Sequence, residues 1–249
     1  MNYIFNWEEC KAHILSCYPN EGGGIVTSDN IFHPIENISE HPIDGYEFGP
    51  QELAGVDVKC ILHSHTYDPH KPPSHDPRTP SKTDLQGQID TDVEWAIVVC
   101  EGENVTQPIF FGDYDHRPEL FGEREFIHNI QDCLSFMSDW QYKNFGLKLP
   151  AFPRDFYWIE KDEDHIEASW PSWGFVDVSH LPQATGDVIL YKFNADVTNH
   201  VSVVVEPNRV AHHLPRRFPK SEPYAIWSKY IVKRIRHVTN PAYKGEQKC

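Results

Sequence analysis

The negative charge of this chain sits in its first half, and that asymmetry constrains the fold more than any other feature. Residues 1–122 carry 6 Lys+Arg against 21 Asp+Glu, a balance of −15, whereas residues 123–249 carry 16 against 16. A step of this kind predicts a boundary near residue 120 and two domains. We read domains at 1–115 and 125–249, with HRPELFGER (116–124) as the linker. The acidic half disfavours phosphate backbones, so no nucleic-acid partner is expected. No run of 18 apolar residues exists, so no membrane insertion is expected. The opening MNYIFNWEECKAHILSC has no basic n-region and is not expected to be a signal peptide. The six cysteines are scattered without a Cys-x-x-Cys pair, which predicts reduced, mostly buried thiols.

Hydrophobic periodicity sets out the elements. Residues 6–18 read as a helix, broken by YPNEGGG before a strand at GIVTS. A turn and short helix fit YEFGPQELAG, and DVKCILHSH is a strand with a polar end. A Pro-rich segment leads to a helix at SKTDLQGQID, then strands at VEWAIVVC and PIFFGDY. EFIHNIQDCLSFMSDWQYKNFG reads as a long amphipathic helix, and DFYWIEKDEDHIEASWPSWGF as a more broken one. GDVILYKF, NHVSVVVEP and RVAHHLP are three successive strands, while YAIWSKYIVKRIRHV fits either a strand or a helix. The fold class is α+β in two domains.

His63 and His65 stand at i and i+2 on a predicted strand end, so both imidazoles face one side. Two such ligands need a third, and carboxylates follow at Asp76 and Asp84. Together with Glu21, the order Glu, His-x-His, Ser-x-x-Asp resembles the JAMM/MPN metallopeptidases. That resemblance implies an MPN-like α/β domain with a mixed sheet. It also implies one zinc ion held by His63, His65 and Asp84, with a water as fourth ligand. Glu21 would take that water's proton, and Ser81 would help hold the oxyanion. Here 18 residues separate His65 from Asp84, more than the family leaves. The shorter family spacing would select Asp76. PSKTDL matches the family's helix start better, which favours Asp84 and makes residues 66–80 an enlarged loop containing His70 and His75.

Cys133 lies just inside a predicted helix, where the positive end of the helix dipole favours thiolate. His200 opens the strand NHVSVVV and can accept the thiol proton, and His212 or His213 can orient that imidazole. Asp132-Cys133, Gly186-Asp187-Val188 and His200-Val201 resemble the signature of the NlpC-type, papain-like cysteine peptidases. The resemblance implies Cys133 as nucleophile, His200 as base and His212 as third residue, with His213 its competitor. Leu134-Ser135 stands where the family often has Ser-Gly.

The two motif sets in this order resemble the tail assembly proteins of lambda-like tailed bacteriophages. This implies a hydrolase with two peptidase centres, thiol and zinc, and no organic cofactor. Expected partners are other phage tail-tip proteins and bacterial peptidoglycan peptides. The expected location is the host cytoplasm during assembly and the virion tail tip. A structural tail-tip component with inactive sites is the alternative.

Overall fold

The structure is a computed structural model, which describes residues 5–67, 76–112, 119–154, 158, 159, 161 and 163–245. It divides into two compact units, Met1–Arg117 and Pro118–Cys249. The first holds a mixed sheet and the second an antiparallel one, so the class is α+β.

In the first unit, α1 (Trp7–Cys17) precedes a hairpin of β1 (Gly23–Thr27) and β2 (Phe32–Ile35). The long strand β3 (Val58–Thr66) pairs antiparallel with β1 and parallel with β4 (Glu94–Glu101). Helix α2 (Lys82–Thr91) makes the crossover that a parallel pair requires. Short strands β5 (Asn104–Val105) and β6 (Ile109–Phe111) both pair antiparallel with β4. Alternation along β3 and β4 separates two faces. Cys60, Leu62, Ala96, Val98 and Cys100 pack with Cys10 and Ile14 of α1. The opposite face carries Ile61, His63 and His65 of β3, in register with Trp95, Ile97 and Val99 of β4. Gly87 lets α2 lie close to this face, because a Cβ there would sit 2.7 Å from the Trp95 ring.

The second unit is built on α3 (Cys133–Phe145), α4 (His165–Ser169) and strands β7 (Phe175–Asp177), β8 (Val188–Tyr191), β9 (His200–Glu206), β10 (Arg209–His212), β11 (Lys220–Pro223) and β12 (Ile231–His237). The sheet order is β11-β10-β9-β8-β12-β7. Phe136, Met137 and Trp140 of α3 share a core with Val188, Leu190, Val201, Val203 and Ala211. The other face of the sheet buries Ile189, Tyr191, Val204 and Val210 against Tyr224, Trp227 and Tyr230.

Several elements differ from the sequence reading. The long helix expected from residue 125 begins only at Cys133. Asp132 accepts from the amides of Leu134 and Ser135, and Ser135 returns a bond to the Asp132 amide. This capping box fixes the start, and Asn129, at φ 70, has already turned the chain away from helical geometry. Residues 119–124, read as linker, pack into the second unit: Leu120 joins its core and Arg124 pairs with Asp139 at 2.6 Å. Residues 116–118 of that linker lie outside the described residues. The ambiguous C-terminal segment is a 3-10 turn at Tyr224–Tyr230 followed by β12. The broken helix expected at 155–175 contributes α4, and residues 155–157, 160 and 162 lie outside the described residues.

Candidate functional site

The first unit brings His63, His65 and Asp84 together. The two Nε2 atoms are 3.2 Å apart. His63 Nε2 is 3.3 Å from Asp84 Oδ1, and His65 Nε2 is 3.3 Å from Asp84 Oδ2. A zinc ion bonded tetrahedrally at about 2.0–2.1 Å asks for ligand atoms about 3.4 Å apart. The three residues therefore fit a small divalent cation. His65 donates its Nδ1 proton to the Pro77 carbonyl at 2.7 Å, which turns the Nε2 lone pair toward the cluster. Tyr46 stacks on the His63 ring at 5.7 Å, and Trp95 meets it edge-on at 5.7 Å.

The charges of His65 and Asp84 are coupled. Burial pushes the His65 pKa down, but hydrogen bonding to Asp84 and the charges of Asp84 and Glu21 leave it raised. Burial opposes ionisation of Asp84, yet His63 and His65 hold its carboxyl well below the usual range. An ionised Asp84 and a raised His65 mark a place where positive charge beside the carboxylate is favoured, which a divalent cation would supply.

Asp84 is positioned by the start of α2. Its Oδ2 accepts from the Ser81 amide at 2.6 Å, and Ser81 Oγ accepts from the Asp84 amide at 3.0 Å. Ser81 therefore reaches the cluster through Asp84. Asp76 instead binds Arg78, with Arg78 Nη2 donating to Oδ2 at 2.7 Å. His70 and His75 lie outside the described residues.

Glu21 is buried just before β1. Gly23 pairs with His63, and Gly22 exchanges bonds with Ser64: its amide donates to Ser64 Oγ at 2.9 Å and its carbonyl accepts from the Ser64 amide at 2.8 Å. This ladder carries Glu21 to the end of β3 that holds His63 and His65. Burial raises its pKa to about 8, with His65 opposing and Asp84 and Asp44 adding to the rise.

In the second unit, Cys133 is the first residue of α3, and Asp132 caps the helix while Arg154 donates to the Asp132 carboxylate. The thiol does not become the stabilised thiolate expected from the helix end. Burial raises its pKa to about 11, against the lowering effect of the Val201, Leu134 and Cys133 backbone amides. Desolvation outweighs the dipole because the thiol sits in the apolar cluster of α3, Val201 and Ala211.

His200 Nε2 and His212 Nδ1 are 2.8 Å apart, and both rings are buried. Phe193 stacks on His200 at 4.9 Å, and Trp227 meets His212 edge-on at 4.9 Å. Burial drives the His200 pKa well below its ordinary value, and His212, Arg217 and His213 add to the shift. Burial also lowers His212, against hydrogen bonding to Glu222. His213 takes the other direction from the strand and lies edge-on to Phe126 at 5.2 Å. The imidazole beside His200 is therefore His212. Among the described residues, no hydrogen bond joins the Cys133 thiol to His200; the thiol lies by the Val201 amide, one residue along β9.

Asp187 of the Gly-Asp pair is fully buried and accepts from Arg236 Nε at 2.6 Å and Nη2 at 3.0 Å. It anchors β8 to β12. Three further residues escaped the sequence reading. Tyr46 lies in a loop without periodicity. Trp227 belongs to the ambiguous segment. Glu222, 3.0 Å from His212 Nε2, lies on β11, whose short KSEP stretch gives almost no strand signal.

No family model matches the chain. It is 27% identical over 250 residues to the tail tip assembly protein K of Escherichia phage N15, covering 96% of this chain and 95% of that protein. An NLP/P60-family protein of Staphylococcus aureus, described as similar to a lipoprotein, aligns structurally at 17% identity and a TM-score of 0.31. That alignment covers 47% of this chain and 37% of the other, less than two thirds of its length. An NlpC/P60 family protein of Bacillus cereus aligns at 13% identity and a TM-score of 0.34, over 95% of this chain and 67% of the other. No described helix is long and apolar enough to cross a membrane.

Proposed function

We propose that this chain, so similar along its length to a phage tail tip assembly protein, is itself a tail tip assembly protein with two hydrolytic centres. The observation that carries the reading is that the similarity spans 96% of the chain, across both units. Both motif sets then belong to one protein of that kind. Its partners are other tail-tip proteins, and it acts in the host cytoplasm during assembly and at the virion tail tip.

The second unit is read as a cysteine endopeptidase acting on peptidoglycan peptides. Cys133 attacks the amide carbonyl, His200 takes the thiol proton, and His212 orients His200. The Cys133 proton must first be withdrawn from a buried thiol, so substrate binding has to bring His200 and the thiol into contact. Catalytic hydrogen bonds are often longer before the substrate binds.

The first unit is read as a zinc-dependent amide or isopeptide hydrolase. His63, His65 and Asp84 would hold the ion, which supplies Lewis acidity and an acidified water. Glu21 would receive a proton once the charge of a bound cation offsets the rise that burial imposes on its pKa. Ser81 keeps Asp84 oriented.

A second reading, a structural tail-tip component with an inactive cysteine centre, is favoured by the buried thiol and its raised pKa. Digestion of purified peptidoglycan by the full chain and by Cys133→Ala separates the two. Release of peptides by the wild type but not by the variant supports the enzyme. No release by either, with tails still failing to assemble in the protein's absence, supports the structural role. Release unaffected by the substitution sinks the Cys133 assignment.

A further inference from the structure

We infer that Glu222 is a positioning residue that sets the proton tautomers of both buried histidines. This deepens the cysteine-peptidase reading and rests on it for its catalytic consequence. Three groups form a line across β9, β10 and β11. His200 Nε2 meets His212 Nδ1 at 2.8 Å, and His212 Nε2 meets Glu222 Oε2 at 3.0 Å. Register explains the reach: His212 pairs with Lys220 and Val210 with Glu222, so all four share one sheet face and Glu222 lies diagonal to His212.

An ionised carboxylate only accepts hydrogen bonds. His212 must then carry its proton on Nε2, leaving a lone pair on Nδ1. That lone pair accepts from His200, whose proton sits on Nε2. The remaining nitrogen, His200 Nδ1, is left as a base. One acceptor at the end of the line thereby fixes the state of a base two residues away.

A competing donor makes Glu222 necessary. Arg217 Nη2 lies 3.4 Å from His212 Nε2, and a guanidinium only donates. Alone, it would favour a lone pair on His212 Nε2, a proton on His212 Nδ1, and a protonated His200 Nδ1 with no basic character. Glu222 prevents this by drawing the same Arg217 nitrogen to itself at 2.7 Å. Lys220 holds the second carboxylate oxygen at 3.1 Å. Burial opposes ionisation of Glu222, but the bonds from His212, Arg217 and Lys220 bring its pKa to about 2, so it is charged at neutral pH. The groups facing the line are Arg217 and Lys220 at the Glu222 end and Tyr191 beside His200.

The test uses the full chain with 15N-labelled histidine at pH 7.5. Ring nitrogen shifts are expected to show His200 and His212 protonated on Nε2. In Glu222→Leu, which removes the acceptor, both are expected to shift toward Nδ1 protonation. Glu222→Asp, which keeps the acceptor, should preserve the wild-type state, and Arg217→Ala should leave it unchanged. Unaltered tautomers in folded Glu222→Leu would overturn the inference, as would loss of the wild-type tautomers in Arg217→Ala alone.

Peptide release from purified peptidoglycan tests the underlying reading separately, because substrate binding is what brings His200 to the thiol. His200→Ala should slow release on the order of 10²-fold, and Glu222→Leu should approach that loss. Equal release by His200→Ala and wild type would sink the Cys133–His200 pairing, while the tautomer measurement would still decide the role of Glu222. Slow release by His200→Ala with wild-type release by Glu222→Leu would sink the role of Glu222 alone.

Discussion

Ser81 and Asp84 hold each other through two reciprocal hydrogen bonds, 2.6 Å and 3.0 Å, and the same Asp84 oxygen that accepts from Ser81 faces His65 at 3.3 Å. A helix cap and the carboxylate of the His63–His65–Asp84 cluster are one structure here. The cap cannot loosen without turning the carboxylate away from the histidines.

Ser81→Ala is therefore expected to act twice. Loss of the cap should cost about 1 kcal/mol of stability, read by thermal melting. Zinc affinity of the full chain should fall about 10–100-fold, as for other lost outer-shell supports. Ser81→Thr, which retains the hydroxyl, should recover both. A melting shift without any change in zinc affinity would separate the cap from the ligand.

The two candidate carboxylates give opposite expectations. Asp84 faces both imidazoles, while Asp76 is engaged by Arg78. Purified Asp84→Asn and His63→Ala/His65→Ala should lose stoichiometric zinc by elemental analysis, and Asp76→Asn should keep it. Zinc lost on changing Asp76 and kept on changing Asp84 would reverse the assignment.

Asp187 is a buried anion held by buried Arg236. Asp187→Asn leaves the guanidinium without its counter-charge and should cost about 3–5 kcal/mol in urea unfolding. Replacing both partners by apolar residues of similar volume should cost less than this single change. Equal losses from the single and double changes would mean that the charge pairing contributes little.

Glu222 makes stability pH-dependent. Its folded-state pKa is depressed from 4.5 to about 2, so the folded state binds its proton less readily than the unfolded one. Its contribution is complete above about pH 4.5 and is lost as pH falls toward 2. The stability gap between wild type and Glu222→Gln should hold steady from pH 7 to 5 and close below that, in denaturant titrations at each pH. A gap that widens on acidification would contradict the sign.

Much of the first unit is legible in the sequence because its strands are strongly patterned. DVKCILHSH alternates a histidine-bearing face and a core face, and Ser81 with Asp84 reads as a helix start at the position where it forms. The second unit is less transparent. The stretch 125–131 has helical periodicity, yet a capping box centred on Asp132 starts the helix at Cys133. Local side-chain-to-backbone bonds override periodicity, and a hydropathy pattern cannot see them.

By itself, the sequence determined two differently charged halves, the strand carrying His63 and His65, the α2 start that presents Asp84, and the order of the Cys133, His200 and His212 motifs. Only the tertiary structure decided which carboxylate meets the imidazoles, because Asp76 and Asp84 differ in neighbours rather than in chemistry. It also placed His212 rather than His213 against His200, since β10 ends at His212 and His213 packs against Phe126. Finally, it set the state of Cys133. The helix dipole is a property of local sequence, but desolvation depends on which distant side chains close over the thiol, and here that burial prevails.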